Sequence, residues 1–261
     1  MKKFLLTSAA VLGIAGTASA ADLRVAAPIV APVPLFSWTG CYIGGHVGYG
    51  KGQTSDRVTF DDVNVVGDDP EYHFANIFNN KGGVYGLQGG CNYQAGMFVA
   101  GLEGDYSWSN LNASFSFSDP VEDAPAVDSA TFNSKIRNLA SIRGRFGIAA
   151  DRALVYATLG WGWADFRYSY VLNDSGLVNA ASYSKNADGI VYGAGVNYAV
   201  TDWLILRAEY LHYAVGKDFN LVPVPEIGPA IGDRAGIQSI DVVRVGADWK
   251  FNWWGAPVAR Y

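Results

Sequence analysis

The chain has few of the residues from which most catalytic and metal sites are built. It contains two cysteines, Cys41 and Cys91, and three histidines, His46, His73 and His212, which lie far apart in the sequence. No nucleophile motif accompanies the histidines, and two thiols without a neighbouring histidine form a poor metal site. The sequence therefore predicts no catalytic residue, no metal and no cofactor.

Long apolar runs are also lacking beyond the first twenty residues. Lys2 and Lys3 precede the short apolar segment FLLTSAAVLGIAG, and the small residues Ala18–Ala20 follow shortly after it. This pattern is typical of a secretory signal peptide, here cleaved between Ala20 and Ala21. No uncharged apolar stretch of about 18 residues follows it, so we expect no membrane helix.

Charge is scarce and mostly acidic. Charged residues make up 16% of the chain, and losing Lys2 and Lys3 with the signal peptide leaves 17 of 19 basic residues against 24 acidic ones. That excess argues against nucleic acid as a partner. Residues 21–37 contain Pro28, Pro32 and Pro34. Because proline removes donors from a β-ladder, this segment is predicted to be a stiff periplasmic linker before one all-β domain at residues 38–261.

Eight segments after the linker alternate with a period of two, which is typical of β-strands with two different faces. They are residues 39–50, 83–95, 97–110, 135–149, 153–168, 188–200, 203–215 and 238–251. The gaps at 95–96, 150–152 and 201–202 are short, whereas 51–82, 111–134, 169–187 and 216–237 are long and polar. This asymmetry predicts an eight-stranded antiparallel up-and-down transmembrane β-barrel, with short periplasmic turns and long outer loops.

The two faces of the strands distinguish a membrane barrel from a soluble one. In the third strand Phe98, Leu102 and Trp108 share one face, while Glu103 and Asp105 share the other. A soluble barrel would expose the bulky apolar face to water, whereas a membrane barrel turns it toward lipid. The alternation therefore predicts lipid outside and polar groups inside.

Aromatic residues cluster near both ends of the predicted strands. Near the short turns lie Tyr93, Phe98, Tyr198, Trp203, Trp249 and Phe251, and toward the long loops lie Tyr49, Trp108, Phe166 and Tyr213. Amphipathic rings favour membrane interfaces, so we interpret these clusters as two girdles about 25 Å apart.

The predicted inward face carries four acids and five bases. They are Glu103, Asp105, Glu209, Asp248, Arg143, Arg145, Arg207, Arg244 and Lys250. Because burying such charges singly is prohibitive, their near balance at one height predicts a paired lumen network. Two hypotheses remain open: an interior filled by side chains, or a narrow pore whose charges select ions.

The first long gap contains the acids Asp61, Asp62, Asp68, Asp69 and Glu71, and residues 119–128 are acidic as well. Carboxylates bind calcium, but the spacing lacks an ordered calcium-loop pattern, so we predict solvated loops. Our hypothesis is that these loops give the outer rim a negative potential and contact a host, a phage or extracellular cations.

Several segments together resemble a known family. WTGCYIGGHVGYG, FVAGLEGDYSWS, SIRGRFGIAADRALVYATLGWGWA and ADWKFNWWGAPVARY are similar to small outer-membrane β-barrel proteins of α-proteobacteria, described as immunogenic or porin-like, within the OmpA-type barrel group. The resemblance implies residence in the outer membrane of a Gram-negative bacterium and a structural, surface-displayed role. It also implies contact with outer-membrane lipid, lipopolysaccharide and the barrel assembly machinery. A small porin-like channel is the alternative.

Barrels of this group end their last strand on an aromatic residue that the assembly machinery reads. Here the alternation stops at Phe251 and the sequence runs on to Tyr261. Either residue is a candidate for that signal.

The two cysteines fall on the outward face, near the short-turn ends of the first two strands. Opposite residues of adjacent antiparallel strands lie about 4.5–5.5 Å apart, within reach of a disulfide. Because a secreted protein meets an oxidising environment, we predict a Cys41–Cys91 disulfide. Two free thiols acting as small apolar residues are the alternative.

Overall fold

The computed structural model describes residues 36–60, 72–118, 129–174, 177–221 and 232–251. The strands are β1 (Gly40–Phe60), β2 (Tyr72–Ala95), β3 (Phe98–Ser118), β4 (Ser129–Ala150), β5 (Ala153–Asp174), β6 (Leu177–Ala199), β7 (Leu204–Leu221) and β8 (Gly232–Phe251). Each pairs antiparallel with its neighbour in sequence, and β8 pairs with β1 to close the barrel. The predicted eight-stranded up-and-down β-barrel is confirmed. Within the described ranges, no helix is long and apolar enough to cross a membrane.

The short turns lie where the sequence predicted them. Ala95 is joined to Phe98, Ala150 to Ala153 and Ala199 to Leu204, each strand end within one residue of the predicted position. The first two turns use left-handed backbone, at Gly96 with φ +61° and at Asp151 with φ 49°. Glycine and, less often, aspartate adopt this conformation, which explains why these residues occupy the turns.

At the other end the strands are much longer than predicted. β1 continues to Phe60 and β2 begins at Tyr72, so the predicted loop 51–82 is largely a strand pair. The predicted loops 111–134, 169–187 and 216–237 are shortened in the same way by β3–β4, β5–β6 and β7–β8. The strands have 18–24 residues, about twice the 9–11 needed to cross a membrane.

The barrel has two regions of opposite polarity. The upper region comprises residues 51–60, 72–82, 110–118, 129–138, 164–174, 177–189, 212–221 and 232–241, and the lower region is the rest of the strands. In the lower region Leu102 and Leu159 point outward and are 69% and 63% exposed. In the upper region the apolar Phe166 and Tyr168 are buried inside, while Arg167 is exposed. This reversal explains why the alternation expected of a membrane strand ended early.

The same reversal corrects one of the two predicted girdles. At the short-turn end Tyr93, Phe98, Tyr198, Trp203, Trp249 and Phe251 are all exposed, at 37–65%. At the other end Tyr49 and Trp108 are exposed, but Phe166 and Tyr213 are buried at 2% and 1%, so their assignment to the girdle was wrong. Side chains alternate along a strand, and Tyr213 therefore shares the inward face with Glu209.

Candidate functional site

Register brings the charged residues of the lower region together in the lumen. Glu103 on β3 lies directly opposite Arg143 on β4, and Glu209 on β7 lies directly opposite Arg244 on β8. All four side chains point inward and are at most 3% exposed. Two facing pairs from opposite sides of a narrow barrel thus meet at one height.

Arg143 is the centre of this layer. Its Nη2 lies 2.7 Å from Glu103 Oε1 and 2.8 Å from Asp105 Oδ1, and its Nη1 lies 3.1 Å from Glu209 Oε1. The planar guanidinium therefore bridges three carboxylates from two strands. Hydrogen bonds to ionised groups are the stronger kind, so this contact set fixes the side chain firmly.

Arg244 approaches the same carboxylates from β8. Its Nη1 lies 3.0 Å from Asp105 Oδ2 and its Nη2 lies 2.7 Å from Glu209 Oε2. Each of these two acids is therefore shared between Arg143 and Arg244, and Ser141 donates a further hydrogen bond to Asp105. Sharing gives both oxygens of each carboxylate a partner.

Arg207 and Arg145 complete the layer on the side toward the short turns. Arg207 Nη2 lies 2.8 Å from Glu103 Oε2 and 2.7 Å from Asp248 Oδ2. Arg145 Nη1 lies 3.2 Å from Glu103 Oε2. Four acids and four arginines are thus joined in one balanced network, and the energetic cost of burying them is offset by pairing.

Lys250 is the predicted network residue that the structure does not place in this layer. It lies near the short-turn rim of β8, where its Nζ hydrogen-bonds the carbonyl oxygen of Ser37. It also stands 4.5 Å from the centre of the Phe36 ring. The alternation correctly put Lys250 on the inward face, but alternation carries no information about height.

Two tyrosines belong to the network and were not singled out from the sequence. Tyr42 donates a hydrogen bond to Glu103 and accepts one of 2.7 Å from Arg145 Nη1. Tyr156 donates to Glu209 Oε1 at 3.2 Å, and the Arg145 guanidinium carbon stands 3.7 Å from the centre of its ring. Because one arginine contacts both rings, they orient it as well as pack against it.

Glycines on the inward faces of neighbouring strands were the sequence feature that could have indicated these two inward tyrosines. A Cβ at Gly90 would lie 2.7 Å from the hydroxyl of Tyr42, and one at Gly195 would lie 2.5 Å from that of Tyr156. Glycines on the inward face of neighbouring strands therefore make room for large inward side chains. Which glycine faces which ring depends on register, and the sequence did not provide it.

His46 connects the layer to an uncharged group of side chains. Its two ring nitrogens hydrogen-bond Gln88 and Ser107, the second at 2.8 Å between Nε2 and Oγ. Gln88 Nε2 in turn donates to Asp248 Oδ1 at 2.7 Å. These contacts give both ring nitrogens of the buried imidazole a hydrogen-bonding partner.

An apolar cluster lies on the short-turn side of the charge layer, and we call it the lower plug. It consists of Phe36, Trp38, Val99, Leu154, Tyr156, Ala199 and Ile205. Trp38 is 1% exposed, and its Nε1 donates to the carbonyl oxygen of Asp151 at 3.1 Å. Phe36 was predicted to belong to the linker, yet it packs into the barrel ahead of β1.

A second apolar cluster lies on the other side of the charge layer, and we call it the upper plug. Its members are Val84, Leu111, Phe132, Ile136, Leu139, Ala164, Phe166, Tyr168, Tyr170, Ala187, Val191, Leu211, Tyr213, Val215, Ile240 and Val242. Adjacent rings pack together, with centroids 6.3 Å apart for Phe132 and Tyr168 and 6.4 Å apart for Tyr168 and Tyr170. Paired charges therefore lie between two apolar layers.

The two cysteines form the predicted disulfide. Cys41 and Cys91 lie directly opposite each other in the β1–β2 ladder, and their sulfur atoms are bonded. Both lie on the outward face, because Ile43 and Tyr93, two residues further along each strand, are 59% and 65% exposed. The bond therefore ties β1 to β2 at the lipid-facing surface near the short turns.

His212 and the acidic stretches are further features singled out in the sequence. His212 lies on the outward face, where its Nδ1 is 2.7 Å from Asp241 Oδ1, far from the lumen. In the part of the chain that the structure describes, no three His, Cys, Asp or Glu side chains are placed so that they could hold a metal ion together. The acidic residues from Asp61 to Glu71, the stretch 119–128 and Tyr261 lie outside the described residues.

Comparison with known proteins agrees with this architecture. The family model for the outer membrane protein beta-barrel domain matches residues 7–251. The 31 kDa outer-membrane immunogenic protein of Brucella melitensis is 32% identical over 96% of this chain and 100% of its own length. The 25 kDa outer-membrane immunogenic protein of Brucella abortus is 28% identical over 96% and 99%. The 22 kDa outer membrane protein of Rhizobium leguminosarum is 30% identical over 73% and 72%. The chain therefore belongs to the outer membrane β-barrel protein family.

Proposed function

We propose that this protein is a closed, non-catalytic barrel of the bacterial outer membrane that supports the envelope and displays its long hairpins at the cell surface. The observation that carries the proposal is the filling of the lumen at three successive heights. The lower plug, the charge layer and the upper plug each consist of buried side chains. An eight-stranded barrel has an interior that side chains can fill, so this arrangement needs no further component.

The charge layer argues against easy ion passage. Arg143, Glu103 and Glu209 are each at most 3% exposed, and each is held by at least two charged partners. A permeating ion would have to separate such pairs, and breaking a buried ion pair costs about 3–5 kcal/mol. It would also have to pass the two plugs, whose buried side chains are mostly aliphatic and aromatic.

Conductance of the full chain in planar bilayers tests the closed interior. We expect no discrete steps in 1 M KCl, under conditions in which a general porin of known conductance gives them. Stable unitary steps from the wild type would contradict the proposal and favour the alternative, a small porin-like passive channel. Replacing Trp38 by Gly removes the ring from the lower plug and, because two layers remain, should still give no steps.

The second half of the proposal concerns orientation. Short turns at one end and long hairpins at the other are the asymmetry of outer-membrane barrels, whose turns face the periplasm. In this orientation the short-turn end of the barrel, where the chain enters at Phe36, faces the periplasm, and the hairpins beyond Phe60 and Ser118 are outside. The Brucella relatives are named immunogenic proteins, and surface hairpins would be accessible to antibodies.

Epitope insertion tests the orientation directly. A tag placed between residues 65 and 66 should be labelled by antibody on intact cells. The same tag placed between Asp151 and Arg152 should be labelled only after the outer membrane is permeabilised. Labelling of the second variant on intact cells, with none for the first, would reverse the proposed orientation.

A further inference from the structure

A row of basic side chains crosses the outward face in the upper region. In the strand register, Lys51 on β1 lies opposite Lys81 on β2, and Lys81 lies opposite Asn112 on β3. Asn112 lies opposite Lys135 on β4, which lies opposite Arg167 on β5. All five side chains are exposed. Neighbouring strands are about 4.8 Å apart, so four cations lie within about 19 Å along one line.

These four cations are largely free of acidic partners. Within the described ranges, the charged side-chain contacts outside the lumen are Arg152–Asp202 and the half-buried contact of His212 with Asp241, and neither includes a member of the row. Asp241 lies opposite Lys51 but is already bonded to Tyr210 and His212. The row is therefore a local excess of positive charge on a chain whose formal net charge is −5.

Two neighbours of Arg167 and Lys135 on the same face also bear charge. Asp165 lies two residues nearer the short turns on β5, and it accepts a hydrogen bond of 3.1 Å from Asn138. Arg137 lies at the β4 bulge and is exposed. They offset each other, so the central segment from Lys81 to Arg167 keeps its positive charge.

The height of the row relative to the membrane follows from the exposed aromatic rings that lie below it. Tyr49 is two residues below Lys51, Trp108 is four below Asn112 and Trp163 is four below Arg167, and all three rings are exposed, at 41–58%. Exposed aromatic rings mark the boundary between hydrocarbon and headgroups. At about 3.3 Å per residue along tilted strands, the row lies within roughly 10 Å above that boundary, at headgroup level.

Uncharged hydrogen-bonding groups surround the basic side chains. A shallow groove over β3, β4 and β5 is lined by Asn112, Ser114, Asn133, Lys135, Arg167 and Ser169. Amide and hydroxyl groups both donate and accept, which suits sugar hydroxyls, while guanidinium and ammonium groups suit phosphate or carboxylate. A simple phospholipid headgroup offers the anion without several sugar hydroxyls.

We propose that Lys81, Asn112, Lys135 and Arg167, with Lys51 at one end of the row, form a binding surface for the acidic sugar headgroup of the outer-leaflet glycolipid. The inference rests on the proposed orientation, because only then does the row meet the outer leaflet. The proposal places the contact with the glycolipid headgroup on strands β1–β5, along one line of residues. The lipid-facing band below the row provides the surface against which the acyl chains pack.

Titration of folded protein with Kdo2-lipid A, followed by native mass spectrometry in detergent, tests the surface. We expect the triple variant Lys81→Gln, Lys135→Gln, Arg167→Gln to bind about a hundredfold more weakly than the wild type, since a basic residue near an anionic headgroup contributes about fivefold. Arg152→Gln removes the same charge as one of these changes at the opposite rim, and it should alter affinity less than twofold.

Phosphatidylglycerol provides the comparison ligand, and we expect it to bind the wild type at least tenfold more weakly than Kdo2-lipid A. Equal affinity for the two lipids, or a folded triple variant within threefold of the wild type, would overturn the proposal. Retained heat-modifiable mobility on gels establishes that the variant is folded. Channel conductance together with intact binding of Kdo2-lipid A would refute only the closed interior. Equal affinity for Kdo2-lipid A and phosphatidylglycerol, without conductance, would refute only the proposed binding surface.

Discussion

The lower and upper regions of this barrel share eight strands but have opposite polarity. In the lower region Leu159 meets the outside and Arg143 the inside, whereas in the upper region Arg167 meets the outside and Phe166 the inside. The lower region has the apolar-outside pattern of a membrane barrel, and the upper region has the apolar-inside pattern of a soluble barrel. The outward face of one continuous sheet thus meets lipid in the lower region and water in the upper region. At the same height, the apolar residues of the sequence move from the outward to the inward positions.

The comparison also explains how each region is held together. In the lower region the outward apolar side chains stay against lipid, and the interior is held by the ionic and hydrogen-bonded charge layer together with the lower plug. The upper region lies beyond the lipid-facing band, and its aromatic interior is stabilised by the hydrophobic effect. The same kind of substitution should therefore lower the free energy of unfolding by different amounts in the two regions.

Removing the central cation of the lower region should give the largest effect. Arg143→Met leaves Glu103, Asp105 and Glu209 with too few partners, and we expect a loss of about 3–5 kcal/mol in the free energy of unfolding. Urea unfolding followed by heat-modifiable gel mobility measures it. The control Arg152→Met breaks a pair whose side chains are 37% and 82% exposed and should cost less than about 1 kcal/mol. Equal losses in the two variants would refute a structural charge layer.

Placing one charge on the outward face of each region tests the reversal itself. Leu159→Arg puts a guanidinium into lipid and should cost about 2–4 kcal/mol in unfolding free energy. Ser114→Arg puts the same group on the outward face of the upper region, where water solvates it, and should cost less than about 0.5 kcal/mol. Unfolding in lipid vesicles provides both values. A similar cost at the two positions would mean that both regions meet the same solvent.

Opening the disulfide should have a smaller effect on the lower region. The bond closes a sequence separation of 50 residues, and Cys41→Ser with Cys91→Ser should lower the free energy of unfolding by about 2 kcal/mol. We expect the low end of the usual range, because β1 and β2 already pair along their whole length. The wild type in reducing agent should match the double variant. A double variant that no longer assembles into a heat-modifiable barrel would show that the bond is needed for folding.

Truncating the upper plug should have the smallest effect on global unfolding. Phe166→Ala removes a buried ring, yet the upper strands are not embedded in lipid and can open locally. We therefore expect less than about 1 kcal/mol in global unfolding but at least a tenfold faster cleavage of the upper hairpins by added protease. Thr131→Ala, on the outer side of the same region, should leave cleavage unchanged. A global loss of about 3–5 kcal/mol would instead mean that the two regions unfold together.

Particular residues show how far the sequence could be interpreted. The alternation placed Glu103, Arg143, Glu209 and Arg244 on one face, and counting residues from the short turns placed them at similar heights. It also placed Cys41 and Cys91 on the outward face, near the same ends of the first two strands. It could not assign Arg143 to three carboxylates at once, because that contact joins strands from opposite sides of the lumen. It also placed Lys250 in the network, although the residue lies at the rim.

By itself, the sequence determined the strand number, the short turns, the lipid-facing side of the lower region and the family. All of these follow from local alternation and turn chemistry, which neighbouring residues encode. Only the tertiary structure decided that the strands continue beyond the predicted ends, that Phe36 and Trp38 enter the barrel and that Tyr42 and Tyr156 join the charge layer. The physical reason is that height and cross-lumen contact depend on barrel closure and register, which bring together residues far apart in the chain.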